Sequence, residues 1–275
     1  MGTRLLRRVG LATGVTLILG WSLLPVVWVV SLSLKTGDQV GDGAFLPVRP
    51  SLTNYTGLFT GEVFLPALVN SLVVASLTTL VAVVLATLAA YAVARLDFPG
   101  RRLLLSVALA VTMFPTMAMV GPLFDIWRDL GLYDTWLGLV IPYTSFALPL
   151  ATWLLVAFFR QVPWELEEAA QLDGCTRWQA LRQVIVPLTM PAVVTAAILT
   201  FLASWGEFVF AMALTSDAAR TAPAALAFFS GESQYERPHA PIAAAAVVIT
   251  VPVLLVVLAL QKRIVAGLTS GAVKG

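Results

Sequence analysis

A chain of 275 residues that is 59% hydrophobic and 12% charged, with a mean hydropathy of +0.89, is not a water-soluble domain, where about 25% of residues carry charge. Its 17 basic and 15 acidic residues leave a net charge of +2, which marks membrane topology rather than a nucleic-acid partner. The single cysteine, Cys175, excludes an internal disulfide and reads as a small packing residue.

A span needs about 20 mostly apolar residues, since in lipid each backbone group must be hydrogen-bonded within its own helix. Six stretches qualify, predicting an all-α membrane protein of one domain over residues 1–275. The first, Leu11–Leu34, is longer than a signal-peptide core and is followed by no small-residue cleavage site, so it is expected to be retained. The segment after it, "KTGDQVGDGAFLPVRPSLTNY", reads as turns with a short interfacial helix. The second span, Pro66–Ala94, carries Ser71, Ala75 and Thr79 on one stripe and Ala82, Ala86, Ala90 and Ala94 on another. Small residues four apart let helix backbones approach closely. Leu103–Phe124 and Leu137–Phe159 follow, with Pro115, Pro142 and Pro149 predicting kinks or local unwinding. Leu188–Leu214 repeats the small-residue code at Ala192, Ala196, Thr200 and Ser204, and Pro241–Leu260 is the sixth span. Twelve of the 17 basic residues fall in the termini and alternate loops, from Arg4 to Lys274, which predicts both termini in the cytoplasm.

Between spans four and five, residues 160–187 stay polar. Pro163 suits a helix start, and Glu165, Glu167 and Glu168 complement the positive end of its dipole. Leu166, Ala169, Ala170 and Leu172 form an apolar stripe, Gly174 is a stop, and Thr176 with Gln179 has capping-box spacing. Helices that lie in headgroups favour Lys and Arg on their polar face. Three glutamates argue instead for a basic protein partner.

The segment Glu168–Gly174 ("EAAQLDG"), with Val184, Val186 and Pro187 at the following positions, resembles the EAA loop of ATP-binding-cassette importer permeases; Val184 and Val186 stand where that loop usually has Ile and Leu. The tail Gln261–Gly275, "NSL" at Asn70–Leu72, "AAYAVARLDFPGRR" and "MFP" at Met113–Pro115 resemble the MalG-type carbohydrate branch, in particular mycobacterial trehalose-importer permeases. The resemblance spans essentially the whole chain. It implies a MetI-like fold of six transmembrane helices in the bacterial inner membrane, and a permease subunit moving a sugar, such as trehalose, by alternating access. It implies that Glu168, Ala169, Ala170, Asp173 and Gly174 form the coupling helix on the ATPase. Gly271, Ala272, Val273, Lys274 and Gly275 would reach between the ATPase subunits, and Gly231, Glu232, Ser233 and Gln234 would tip a loop toward the binding protein. The implied partners are a second homologous permease, two ATPase subunits holding ATP and Mg, an extracytoplasmic sugar-binding lipoprotein, the sugar and membrane lipid. This chain itself would bind no cofactor or metal.

The residues agree in offering no enzyme. "GLTSGAVKG" lacks the spacing of a phosphate-binding loop, no zinc motif occurs, and His239 stands in a proline-flanked loop. Sugars need amides, carboxylates and aromatic rings. Asn70, Phe114, Tyr143, Trp153, Trp205 and Glu207 are the candidates, Glu207 foremost because a lone carboxylate facing lipid is costly. Gly206 stands where the family often has Asn. The rival readings are an importer permease for a non-sugar solute and a stand-alone secondary carrier.

Overall fold

Long apolar segments with no water to bond close their backbone hydrogen bonds locally, and helix follows. The computed structural model describes residues 2–229 and 238–270, with backbone alone at 2–9, 102 and 261–270, and no strand occurs among them. In chain order the helices are α1 (Gly2–Ser33), α2 (Thr53–Thr60), α3 (Phe64–Arg95), α4 (Arg101–Val111), α5 (Thr116–Asp129) and α6 (Trp136–Phe159). Then come α7 (Trp164–Leu172), α8 (Arg177–Ala180), a π turn at Leu181–Ile185, α9 (Val186–Leu188), α10 (Met190–Trp205), α11 (Val209–Leu214), α12 (Ala222–Leu226) and α13 (His239–Ser270).

Among the described residues, four helices are long and apolar enough to cross a membrane: Gly10–Ser33 of α1, α3, α6 and His239–Leu260 of α13. Two bent pairs raise the number to six if each is one span. The third expected span, Leu103–Phe124, is interrupted where Pro115 predicts a kink or local unwinding. It is α4 and α5, meeting at 86°. Pro115 has no N–H to continue the ladder and clashes with the carbonyl four residues back. The turn before it tightens accordingly, with Thr112, Met113 and Phe114 each donating three residues back, to Leu109, Ala110 and Val111. The fifth expected span, Leu188–Leu214, is likewise interrupted. Arg177–Leu188 and α10 meet at 79°, and α10 ends at Trp205 with Gly206 as its cap before α11 starts.

Pro142 and Pro149, by contrast, lie within a continuous α6. Pro142 leaves the Gly138 carbonyl without its helical donor, and the Trp127 indole N–H donates to it instead at 2.7 Å.

The chain forms two compact units, one of residues up to Leu65 with Ala225–Pro252, the other of Pro66–Ala224 with the chain from Val253 onward. In the first, Lys35 is 1% exposed, ion-paired to Asp42 at 2.8 Å and donating to the Ala44 carbonyl at 2.6 Å. Gln39 donates to the Arg49 carbonyl, Asn54 donates to the carbonyls of Ser33 and Lys35 at the end of α1, and Leu58, Phe64, Ala244 and Ala245 make a small core. In the second, the predicted small-residue stripes are the packing surface. Ala82, Ala86, Ala90, Ala192 and Ala196 are at most 1% exposed, and α3, α6 and α10 share one core completed by Leu155, Phe159 and Ile185.

Candidate functional site

The polar helix α7 stands on a proline and stops on a glycine, as its residues dictate. Pro163 caps it, Gly174 adopts φ +92°, and the N–H groups of Gly174 and Cys175 donate to Gln171 (3.0 Å) and Ala170 (2.9 Å) in a Schellman arrangement. Both bonds of the Thr176–Gln179 capping box are formed.

One side of α7 is turned inward. Glu167 is its buried residue, 2% exposed, accepting from the Tyr91 hydroxyl at 2.5 Å and facing the Arg95 guanidinium at 3.5 Å. Of the three glutamates expected to face a partner, Glu167 therefore faces the protein, because α3 ends beside it with a tyrosine and an arginine one turn apart. Glu168 is exposed and accepts from the Trp164 indole N–H at 2.7 Å. Ala169, Asp173 and Gly174 are exposed and Ala170 is half-buried. Leu166 (43%) and Leu172 (88%) stand in the open, so the apolar stripe is an unsatisfied surface.

Further along the same unit, α6 and α10 flank an open pocket of about 200 Å³. Tyr143, Phe146 and Leu150 of α6 line it, with Leu199 and Ser204 of α10 and with Glu207. Glu207 sits at the break between α10 and α11. Its carboxylate accepts from the N–H groups of Phe210 at 2.9 Å and Ala211 at 3.2 Å, donors that the start of α11 leaves unpaired. The Tyr143 hydroxyl is buried within the electrostatic reach of Glu207, with no partner in hydrogen-bond geometry among the described residues. The site thus offers an anchored carboxylate, a tyrosine hydroxyl beside it and apolar walls, the mixture that suits a polyhydroxylated ligand with C–H faces.

Tyr143 and Glu207 are brought together on this cavity, and the other four candidates lie off it. Trp205 is buried and stacks on Phe201, with centroids 5.6 Å apart. Phe114 is exposed at the bend before α5, and Trp153 is exposed on α6. The Asn70 amide donates to the carbonyls of Ala218 (2.9 Å) and Arg220 (3.0 Å) and accepts from the Trp136 indole (2.8 Å). It ties down the base of the loop after α11 together with Asp134. The Asp134 carboxylate accepts from the N–H groups of Ser216, Asp217, Ala218 and Ala219 at 3.0–3.1 Å. The expected binding-protein contacts Gly231, Glu232, Ser233 and Gln234, and the tail Gly271–Gly275, lie outside the described residues.

Tyr91, Arg95 and Asp134 did not stand out in the sequence. A tyrosine and an arginine four apart at the end of an apolar helix share a face, which is the signal that could have found the first two. Nothing local marks Asp134, whose partners lie more than eighty residues away.

The chain is 56% identical over 261 residues to the trehalose transport system permease protein SugB of Mycobacterium tuberculosis, covering 94% of this chain and 95% of that one. It is 38% identical over 278 residues to the trehalose/maltose transport system permease protein MalG of Thermococcus litoralis, covering 100% of both. Among solved structures, a chain of a bacterial ABC transporter involved in the import of the acidic polysaccharide alginate matches with a TM-score of 0.78 and 26% identity, over 93% of this chain and 96% of that one. Residues 82–270 match the model of the binding-protein-dependent transport system inner membrane component, and the chain belongs to that family.

Proposed function

We propose that this chain is the membrane-spanning permease subunit of an ATP-driven importer and that its cargo is a sugar of the trehalose class. It is a transport subunit and not an enzyme; ATP and Mg belong to two separate ATPase subunits. A second homologous permease completes the pathway, and an extracytoplasmic sugar-binding protein delivers the cargo. Both termini and α7 face the cytoplasm. The cargo assignment rests on the names of the two trehalose-transporting relatives, of which one is 56% identical.

The observation that carries the reading is the form of α7: a capped and stopped helix, anchored inward by Glu167 and presenting Glu168, Ala169 and Leu172 outward. Such an element fits a protein socket with a basic rim better than a bilayer surface. In the cycle we infer, ATP closes the ATPase pair, α7 moves with it, and the helices behind α7 shift the cavity from one side of the membrane to the other. Loaded receptor and ATP each favour the outward-open state by binding it better, and hydrolysis removes that preference.

Proteoliposomes holding the complete complex test this directly. ATP and loaded binding protein should drive uptake of radiolabelled trehalose, and Glu168→Lys should abolish both uptake and co-purification of the ATPase while leaving membrane insertion intact. Uptake without the ATPase subunits would make the chain a stand-alone carrier. A sugar panel that stimulates hydrolysis with anything but trehalose would change the cargo and leave the machine in place.

A further inference from the structure

We propose that Arg95, Tyr91 and Glu167 form the joint through which movement of α7 reaches α3 and α6, with Arg95 as its positioning residue. The inference rests on the reading of α7 as the element that receives the ATPase's movement.

A nine-residue helix is not stable on its own and moves as a rigid part only if something ties it. The tie is at Glu167, buried with Arg95 and Tyr91 at side-chain exposures of 3% for the glutamate and 4% for the arginine. Arg95 is the last residue of α3, yet its guanidinium also donates to the carbonyls of Phe159 at 2.8 Å and Val162 at 2.7 Å. Those carbonyls lie at the end of α6 and in the connection to α7. The same guanidinium lies 5.2 Å from the ring of Trp164, the first residue of α7. One rigid, planar fork therefore touches the ends of three helices, a geometry that lysine's single ammonium cannot reproduce.

The joint is not built for stability. A buried ion pair adds little over apolar residues of the same shape, because both charges lose their water. Here, moreover, the pair is incompletely closed: Arg95 Nε and Glu167 Oε2 are both buried, 3.5 Å apart and outside hydrogen-bond geometry. Charge at that point does what packing does not: it holds the two sides together across a small change of distance. Because α6 carries Tyr143 and Leu150, a displacement at its Phe159 end is a displacement of the cavity wall.

The test uses the complete complex in proteoliposomes, with trehalose as the probe and two variants. Glu167→Gln keeps shape and an acceptor for Tyr91 but removes the charge; Arg95→Lys keeps the charge but removes the fork. Both variants should co-purify with the ATPase in wild-type amount, while receptor-stimulated hydrolysis and uptake fall at least tenfold. Glu168→Lys, on the outer face of the same helix, should lose co-purification instead. Wild-type uptake in both variants overturns the proposal, and so does loss of assembly in both, which would reduce the triad to a folding role. If the wild-type complex itself takes up no sugar in the presence of ATP, the transport reading fails and takes the joint with it.

Discussion

At Gly138 a β-carbon would lie 2.2 Å from the Leu132 carbonyl oxygen and 3.1 Å from the Trp127 ring, so the absence of a side chain is what lets α6 start against the end of α5. Gly138→Ala must push backbone aside, and overpacking of this kind costs about 1–3 kcal/mol. The variant should melt earlier than wild type in a thermal-shift assay in detergent, and an unchanged midpoint would refute the contact. Asp134, at the turn before the same helix, is a second residue on which much hangs. Burial works to raise its pKa, but the Ala219 N–H, the Ser216 hydroxyl and the Ala218 and Asp217 N–H groups hold the carboxyl well below the usual carboxylate range. A folded-state pKa below the unfolded value means the stabilisation is complete above the unfolded value of about 3.9 and is lost as pH falls toward the folded one. Asp134→Asn should therefore cost about 2 kcal/mol at neutral pH, typical for hydrogen bonds to a charged group. The deficit should stay constant from pH 8 to 5 and shrink only below about pH 4. A deficit that already varied near pH 6 would assign the effect to another group.

Short elements with local causes are the ones a reader of the sequence can see. The helix from Trp164 to Leu172, its glycine stop and the Thr176–Gln179 box depend on residues within five positions of one another, and all are formed as the residues imply. Gly174 has φ +92° with open space around it, so substitution there strains the backbone rather than the packing. Gly174→Val should cost about 1–2 kcal/mol through the left-handed conformation, and should misplace α8 relative to α7. Co-purification of the ATPase with the variant at wild-type strength would show that the stop is dispensable. Pro115 was legible as a break, yet not as a bend of 86°, because a proline removes one hydrogen bond without choosing where the chain goes next. Which face of α7 is buried was not legible either. That depends on Tyr91 and Arg95, more than seventy residues earlier, and no helical period within α7 reports on them. The same holds for Asn70, whose amide is occupied by carbonyls 148 and 150 residues away.

Over the whole molecule, the distribution of positive charge and the local ion pairs point the same way. Twelve of the 17 basic residues lie in the termini and the loops after spans two and four, the side assigned to the cytoplasm. Of those assigned outside, Lys35 is buried against Asp42 and Arg220 lies 3.4 Å from Asp217, so the outer loops carry their own neutralising acids. On the side assigned to the cytoplasm, Arg160, Arg177 and Arg182 flank α7 in the chain, and its exposed acids would otherwise face an anionic leaflet without compensation. The natural cysteine makes the topology directly measurable. Cys175 lies one residue past Gly174 and is half-buried, and a membrane-impermeant maleimide should label it in inside-out vesicles but not in intact cells. In a Cys175→Ser background, Gly41→Cys should show the opposite pattern, since Gly41 is exposed and has open space where a β-carbon would stand. Labelling of Cys175 from outside intact cells would put α7 on the wrong side of the membrane for any cytoplasmic ATPase, and the coupling role of Glu168 and the Arg95 joint would fall together.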